Sequence, residues 1–247
     1  WPFLTLGYPN SKDYKTFYPT DVMETGYDIL FFWVARMSML GLYKTKKIPF
    51  KTGYLHGLVR DKDRQKMSKS KGNVIDPLGV AETYGTDALR MALVVGNTPG
   101  NDIIISEDKI RGYRNFSTKI WNIGRFLMMN KPQTMPPGAK PTRDDTRNLA
   151  ELKKLKTKIT KDIESYKFHL AAENIYHYIW HTFADKVVES YKPRLSSSDE
   201  RDRAAAYQTL ETILLESLAL LHPFMPFITE AIYSRFKSGE LLMVRKW

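Results

Sequence analysis

The sequence FYPTDVME at residues 17–24, with ILFFWVARMSMLGL at 29–42 and TGYLHGLV at 52–59, decides the fold of the first third of the chain. The outer two runs mix aromatic and branched residues over short lengths, which is typical of strands. The middle run is apolar on nearly every side, so it predicts a helix that is buried on most of its surface. Strand, helix and strand in succession predict a βαβ unit and a parallel sheet.

The rest of the chain changes from a basic loop to helices. Residues 60–73 are rich in lysine and poor in large apolar residues, so they predict an exposed loop. Asp76 precedes Pro77 as an expected helix N-cap, and residues 88–95 predict a second packed helix. From Ser106 onward, apolar residues recur at three- and four-residue steps, which predicts four or five amphipathic helices in a bundle. We therefore expect an α/β domain over residues 1–105 and an all-α domain over residues 106–247.

Composition limits the classes of function. The 247 residues contain no cysteine, which excludes a disulfide framework, a thiolate zinc site and a cysteine nucleophile. No apolar run is long enough to span a bilayer, so we expect no membrane association. The absence of cysteine suits a reducing compartment, and we expect a cytoplasmic location. The formal net charge of +11 is spread over both halves of the chain. That charge suits a polyanionic partner, although a basic soluble protein without such a partner would show it too.

The sequence KMSKS at residues 66–70 is the most informative short motif. Its two lysines, Lys66 and Lys69, place mobile ammonium groups three residues apart on a loop rich in serine and glycine. Such a pair can close on a chain of phosphates. A solvated lysine loop is the alternative, and the spacing of a P-loop is absent.

The motif resembles the signature loop of the class I aminoacyl-tRNA synthetases, and other motifs surround it in the same order as in that family. Those motifs are TGYDILFFWVARM at 25–37, HGLVRD at 56–61, VIDP at 74–77 and TPGND at 98–102. Within the class, the set is similar to the valyl enzymes. The resemblance implies the second half of a Rossmann-like nucleotide-binding domain, followed by a helical anticodon-binding bundle.

The resemblance also implies an activity and its residues. The activity is ATP-dependent formation of valyl-adenylate from valine and transfer of the valyl group to tRNA(Val), with Mg²⁺ carried by the triphosphate and no metal site in the protein. Lys66 and Lys69 would be catalytic. The implied ATP-binding residues are Glu24, Gly26, Asp28, His56, Gly57, Leu58, Lys66, Ser68, Lys69 and Ser70. The implied amino-acid pocket contains Ile29 and Trp33, and the implied tRNA contacts are Lys119, Arg125 and Phe126.

Structural alternatives exist for several of these residues. Asp28 could cap a helix, and His56 could serve only in packing. Ile29, Trp33 and Phe126 could be plain core residues, and Lys119 and Arg125 could be solvated.

Three elements of the family are not found in this sequence: a His-Ile-Gly-His-type motif, the inserted editing domain and a C-terminal coiled coil. We therefore expect the chain to need the remaining part of the same enzyme as its partner. A non-catalytic tRNA-binding module is the alternative from another class, and a different amino-acid specificity is a third.

Overall fold

The computed structural model describes residues 2–247, except for the side chain of Lys69. The chain forms two compact units. The first contains the residues up to Arg60 together with Asn97–Ile104, and the second contains Asp61–Gly96 together with Ile105–Trp247.

The first unit is built on two parallel strand pairs. Its elements are α1 (Pro2–Thr5), α2 (Lys12–Phe17), β1 (Thr20–Gly26), α3 (Arg36–Thr45), β2 (Phe50–His56), β3 (Val59–Arg60) and β4 (Ile103–Ile104). A 3₁₀ turn and a π-helical segment connect β1 to α3. Strand β1 pairs in parallel with β2, and β3 pairs in parallel with β4. The predicted βαβ unit is confirmed, with its first strand beginning three residues later than expected.

The prediction of a helix buried on most sides is wrong. Within residues 30–45 only Val34 and Gly41 are buried, whereas Phe31 is 78% and Met39 is 70% exposed. The segment is also not one regular helix, because a π-helical stretch at Leu30–Ala35 precedes α3. A sheet of only two strands offers little surface to cover these apolar side chains, and most of them are in solvent.

The second unit is almost entirely helical. It contains α4 (Pro77–Tyr84), α5 (Thr86–Val94), α6 (Glu107–Met129), α7 (Arg143–Glu164), α8 (Phe168–His177), α9 (Glu189–Leu195), α10 (Glu200–Leu221) and α11 (Pro226–Phe236). A π-helical segment over Tyr178–Val188 joins α8 to α9. As expected, Asp76 caps α4 by accepting hydrogen bonds from the backbone N–H groups of Leu78 and Gly79. Ser106 caps α6 by accepting from the N–H of Lys109.

Apolar side chains from α6, α8, the π-helical segment and α10 form the core of this unit. Phe116, Ile175, Phe183 and Tyr207 are fully buried within it, and Met91 of α5 belongs to the same cluster. The predicted combination of an α/β region with a helical bundle is thus confirmed. Among the described residues, no helix is both long and apolar enough to cross a membrane.

Polar bonds attach α5 to the beginning of α11. The buried carboxylate of Asp87 accepts hydrogen bonds from the backbone N–H groups of Phe227 and Ile228, at 3.3 and 2.6 Å. Arg90, one turn later, donates to the carbonyl groups of Phe224 and Pro223. Burial raises the pKa of Asp87. Helix α5, which follows the lysine loop and α4, is therefore bound directly to the bundle.

A buried charged network joins α7 to α9. Asp145 is fully buried, and its carboxylate accepts two hydrogen bonds from Arg194 at 2.8 and 3.1 Å. The hydroxyl of Tyr191 donates to the same carboxylate at 2.5 Å. These donors outweigh the effect of burial and lower the pKa of Asp145 to about 2.

We expect Asp145→Asn to destabilise the chain by about 3 kcal/mol, because the change leaves a desolvated guanidinium without its strongest partner. Urea unfolding at neutral pH measures this loss. Asp144→Asn is the matched control, since the Asp144 side chain is 64% exposed and its pair with Arg147 should contribute less than about 1 kcal/mol. Equal losses in the two variants would contradict the assigned importance of the buried pair.

The same carboxylate predicts a pH dependence. Its pKa is lower in the folded chain than in the unfolded one, so its contribution to stability is complete above about pH 4 and is lost as the pH falls toward 2. The free energy of unfolding should therefore decrease between pH 5 and pH 2 by roughly 2 kcal/mol more in the parent chain than in Asp145→Asn. Parallel pH profiles for the two proteins would disprove this linkage.

Candidate active site

The carboxyl ends of β1 and β2 form one edge of the first unit. Their register places Gly26 opposite His56 and Glu24 opposite Tyr54. The carboxylate of Glu24 lies 3.1 Å from Nε2 of His56, and Nδ1 of His56 lies 2.8 Å from the carbonyl oxygen of Gly57. His56 is thus held on both sides, at the edge where parallel sheets bind ligands.

Gly26 brings further predicted residues to this edge. A Cβ atom at Gly26 would lie 2.8 Å from Oδ1 of Asp28, 3.6 Å from the ring of His56 and 3.7 Å from the side chain of Leu58. Gly26 itself occupies the N-cap position of the following 3₁₀ turn, so the alternative of Asp28 as a helix N-cap is wrong. The exposed Asp28 carboxylate therefore lies beside a bare stretch of backbone, where it can accept hydrogen bonds from a ligand.

Gly57 lies so close to another part of the backbone that no side chain would fit there. A Cβ atom there would overlap the backbone carbonyl group of Asn101. Gly57 thus lets the segment at residues 97–102 pack directly on the turn that follows β2. Its predicted contact with ATP stays a prediction.

Asp102 fixes this turn and was not singled out from the sequence. Its carboxylate accepts hydrogen bonds from the backbone N–H of Leu58 at 2.9 Å and from the hydroxyl of Tyr27 at 3.0 Å. It also pairs with the guanidinium of Arg60, which lowers the pKa of Asp102. Asp102 therefore connects Tyr27, the residue before Asp28, to Leu58, the residue after Gly57. Its partners lie 42 to 75 residues away in sequence.

Ile29 and Trp33 lie on the segment that follows this edge. Ile29 is 36% exposed and Trp33 is 46% exposed, so neither is a core residue in the described chain. Ile29 lies in a 3₁₀ turn and Trp33 in the π-helical segment, so the two residues are not on one regular α-helix.

The signature loop belongs to the second unit. Lys66 is exposed, and the side chain of Lys69 lies outside the described part of the chain. Ser68 and Ser70 approach each other through their hydroxyl oxygens at 3.1 Å. The backbone N–H of Ser68 donates to the side chain of Asn73 at 2.9 Å, so the loop is internally bonded.

The three predicted RNA-contacting residues have different surroundings on α6. Nζ of Lys119 lies 2.6 Å from a carboxylate oxygen of Asp185 and 4.3 Å from the ring centre of Trp180. Phe126 is half-buried against the bundle core, whereas Arg125 is exposed. Lys119 is therefore paired within the protein, and Arg125 is the residue of this set most accessible to an anion.

Family models match both regions of the chain. Residues 1–106 match the model for class I tRNA synthetases of the isoleucine, leucine, methionine and valine group, and residues 145–247 match the anticodon-binding domain of tRNA ligases. The chain belongs to the class I aminoacyl-tRNA synthetases.

Within that class, the chain is similar to valine–tRNA ligases. It is 45% identical over 253 residues to the valine–tRNA ligase of Clostridium tetani, covering 100% of this chain and 29% of that protein. It is 48% identical over 240 residues to the valine–tRNA ligase of Symbiobacterium thermophilum, covering 95% of this chain and 26% of that protein. The chain thus spans less than a third of the length of these relatives.

Solved structures agree with the fold. The methionyl-tRNA synthetase of Mycobacterium tuberculosis, solved in complex with methionyl-adenylate, is similar with a TM-score of 0.77 and 26% identity. That match covers 94% of this chain and 48% of the other. A leucyl-tRNA synthetase from Agrobacterium radiobacter also gives a TM-score of 0.77, at 20% identity over 99% of this chain and 31% of that one.

The packing at Gly57 gives a direct test. Gly57→Ala should lower the free energy of unfolding by about 2 kcal/mol or more, because the new methyl group forces Asn101 and its neighbours away. Gly53→Ala, on the strand that precedes this turn, is the matched control, since a Cβ there meets nothing within 4 Å. Thermal unfolding of both variants measures the difference, and equal stability would contradict the close backbone contact.

Proposed function

We propose that this chain is a segment of a valine–tRNA ligase, which activates valine with ATP and transfers it to tRNA(Val). The observation that carries the proposal is the convergence of Gly26, Asp28, His56 and Leu58 at the carboxyl end of parallel strands. The identity of about 45% to valine–tRNA ligases over the whole chain supports the choice of amino acid.

The strand-end residues would hold the adenosine part of ATP. The exposed carboxylate of Asp28 can accept hydrogen bonds from ribose hydroxyls, and Glu24 is at the same edge as part of its pair with His56. The bare backbone at Gly26 permits close approach of a nucleotide. In this proposal Gly57 and Leu58 contact the adenine while the packing of Asn101 and the bonds of Asp102 keep their turn fixed.

The lysine loop would stabilise the leaving group. In the first step a carboxylate oxygen of valine attacks the α-phosphorus of ATP, and the bond from that phosphorus to the bridging oxygen breaks. Negative charge builds on the departing pyrophosphate, where Lys66, Lys69 and the hydroxyls of Ser68 and Ser70 can bind it. ATP would enter with Mg²⁺ held by its phosphate oxygens and water.

The second step would use tRNA. A hydroxyl of the terminal ribose attacks the carbonyl carbon of the adenylate, and AMP leaves with the bonding electrons. Recognition of unpaired anticodon bases by aromatic stacking and arginine contacts fits the α6 surface that carries Arg125 and Phe126.

Ile29 and Trp33 would line the pocket for the branched side chain of valine. In this proposal the α/β domain ends at residue 105 and the helical domain begins at residue 106. The protein is cytoplasmic, and the segment works together with the remaining part of the same enzyme.

Lysine substitutions in the full polypeptide that carries this segment test the proposal against a non-catalytic tRNA-binding module. Lys66→Ala and Lys69→Ala should each lower valine-dependent ATP–pyrophosphate exchange by about 10²- to 10³-fold, the usual effect of losing one preorganised donor. The affinity for tRNA should change little. Lys62→Ala, an exposed lysine in the same loop, is the control.

A module that only binds tRNA would show no exchange activity for these variants to lose. Exchange that is supported by isoleucine or threonine better than by valine would contradict the proposed specificity.

The RNA surface is tested separately. Arg125→Ala should weaken tRNA binding with little loss of stability, because this side chain is exposed. Lys119→Ala should lower stability as well, since it removes the pair with Asp185 and the contact with Trp180. Filter binding and thermal unfolding measured together separate the two effects, and unchanged tRNA affinity in Arg125→Ala would contradict its assignment.

A further inference from the structure

The amide of Asn73 holds the backbone of the signature motif. Its Oδ1 accepts a hydrogen bond from the N–H of Ser68 at 2.9 Å. Its Nδ2 donates to the carbonyl oxygen of Lys66 at 3.3 Å. One side chain thus binds the backbone on both sides of Met67 and fixes the direction in which Lys66 leaves the chain.

The carboxylate of Asp61 anchors that amide to the other end of the loop. Its Oδ2 accepts from Nδ2 of Asn73 at 2.7 Å. Its Oδ1 accepts from the backbone N–H groups of Asp63 and Gln65 at 3.0 and 2.8 Å. These donors lower the pKa of Asp61, with the bond from Asn73 as the largest cause.

Backbone hydrogen bonds also form a turn over residues 61–65. Its N–H donates to the carbonyl of Gln65 at 3.1 Å, and its carbonyl accepts from the N–H of Arg64 at 3.0 Å. Arg64 adopts a left-handed conformation with φ of 61°, which completes a tight turn just before the motif. Asp61 and Asn73 therefore hold the two ends of the loop in a fixed geometry, while the side chains of Lys62, Lys66 and Lys71 are exposed.

We propose that Asp61 and Asn73 are positioning residues that hold the signature loop ready for the departing pyrophosphate. This inference rests on the proposed function. Neither side chain needs to touch the nucleotide: Asn73 acts through the backbone of residues 66–68, and Asp61 acts through Asn73. A loop without the hydrogen bonds of Asp61 and Asn73 would still carry its lysines, but it would lose the fixed geometry that favours the transition state.

The test is ATP–pyrophosphate exchange by the full polypeptide that carries this segment. Asn73→Ala and Asp61→Asn should each lower kcat by about 10- to 100-fold, as expected for displaced catalytic groups, with tRNA affinity unchanged. Asp63→Asn is the matched control, because it removes the same charge from the same loop. Only the backbone N–H of Asp63, and not its carboxylate, takes part in the bonds described above. This variant should stay within about twofold of the parent.

A double-mutant cycle separates positioning from general damage to the protein. Because Asn73 is bonded to the carbonyl of Lys66, Asn73→Ala should lower kcat by a clearly smaller factor when Lys66→Ala is already present than it does in the parent. Equal losses in both backgrounds would overturn the inference. A normal rate for Asn73→Ala, with a large loss for Lys66→Ala, would also overturn it while leaving the proposed function intact. A normal rate for Lys66→Ala would instead contradict the proposed role of the loop itself.

Discussion

The parallel pairing of β1 with β2 is the constraint on which the candidate nucleotide site depends. Parallel strands end at the same edge, so Glu24 and Gly26 meet His56 although about thirty residues separate them. A shift of one residue would turn Glu24 away from its partner. The turn after β2 is then held by Asp102 and by the contact of Gly57 with Asn101. Backbone geometry thus places the polar groups before any ligand arrives.

Charge has two separate uses in this chain. In the bundle, Lys119 and Arg194 are paired with carboxylates, and they contribute to packing and stability. In the signature loop, Lys66 is exposed while the nearby carboxylate of Asp61 is engaged by amide and backbone donors. The loop therefore keeps its cation available even though an acid lies a few residues away. A net charge of +11 alone would not distinguish these two uses.

Local features of the fold could be predicted from the sequence because their causes are local. Asp76 and Ser106 cap helices through bonds to residues two or three positions away, and the strand, helix and strand order indicates parallel pairing. The exposure of Phe31 could not be predicted, because it depends on how many strands lie beneath the helix. Asp102 and Asn73 were missed for a related reason: each acts on distant residues or on backbone groups, which periodicity does not reveal. Motif resemblance supplied the ligand roles, which packing patterns alone do not specify.

The bonds from Asp87 and Arg90 to α11 have a consequence for dissecting this protein into parts. They attach the helices that follow the signature loop to the far end of the bundle, inside one compact unit. A chimera that takes the loop and α4–α5 from a relative without an aspartate and an arginine at these positions would lose these bonds and leave the N–H groups of Phe227 and Ile228 without their acceptor. Grafts should therefore transfer Asp61–Gly96 together with Ile105–Trp247, even though the two stretches are interrupted in sequence.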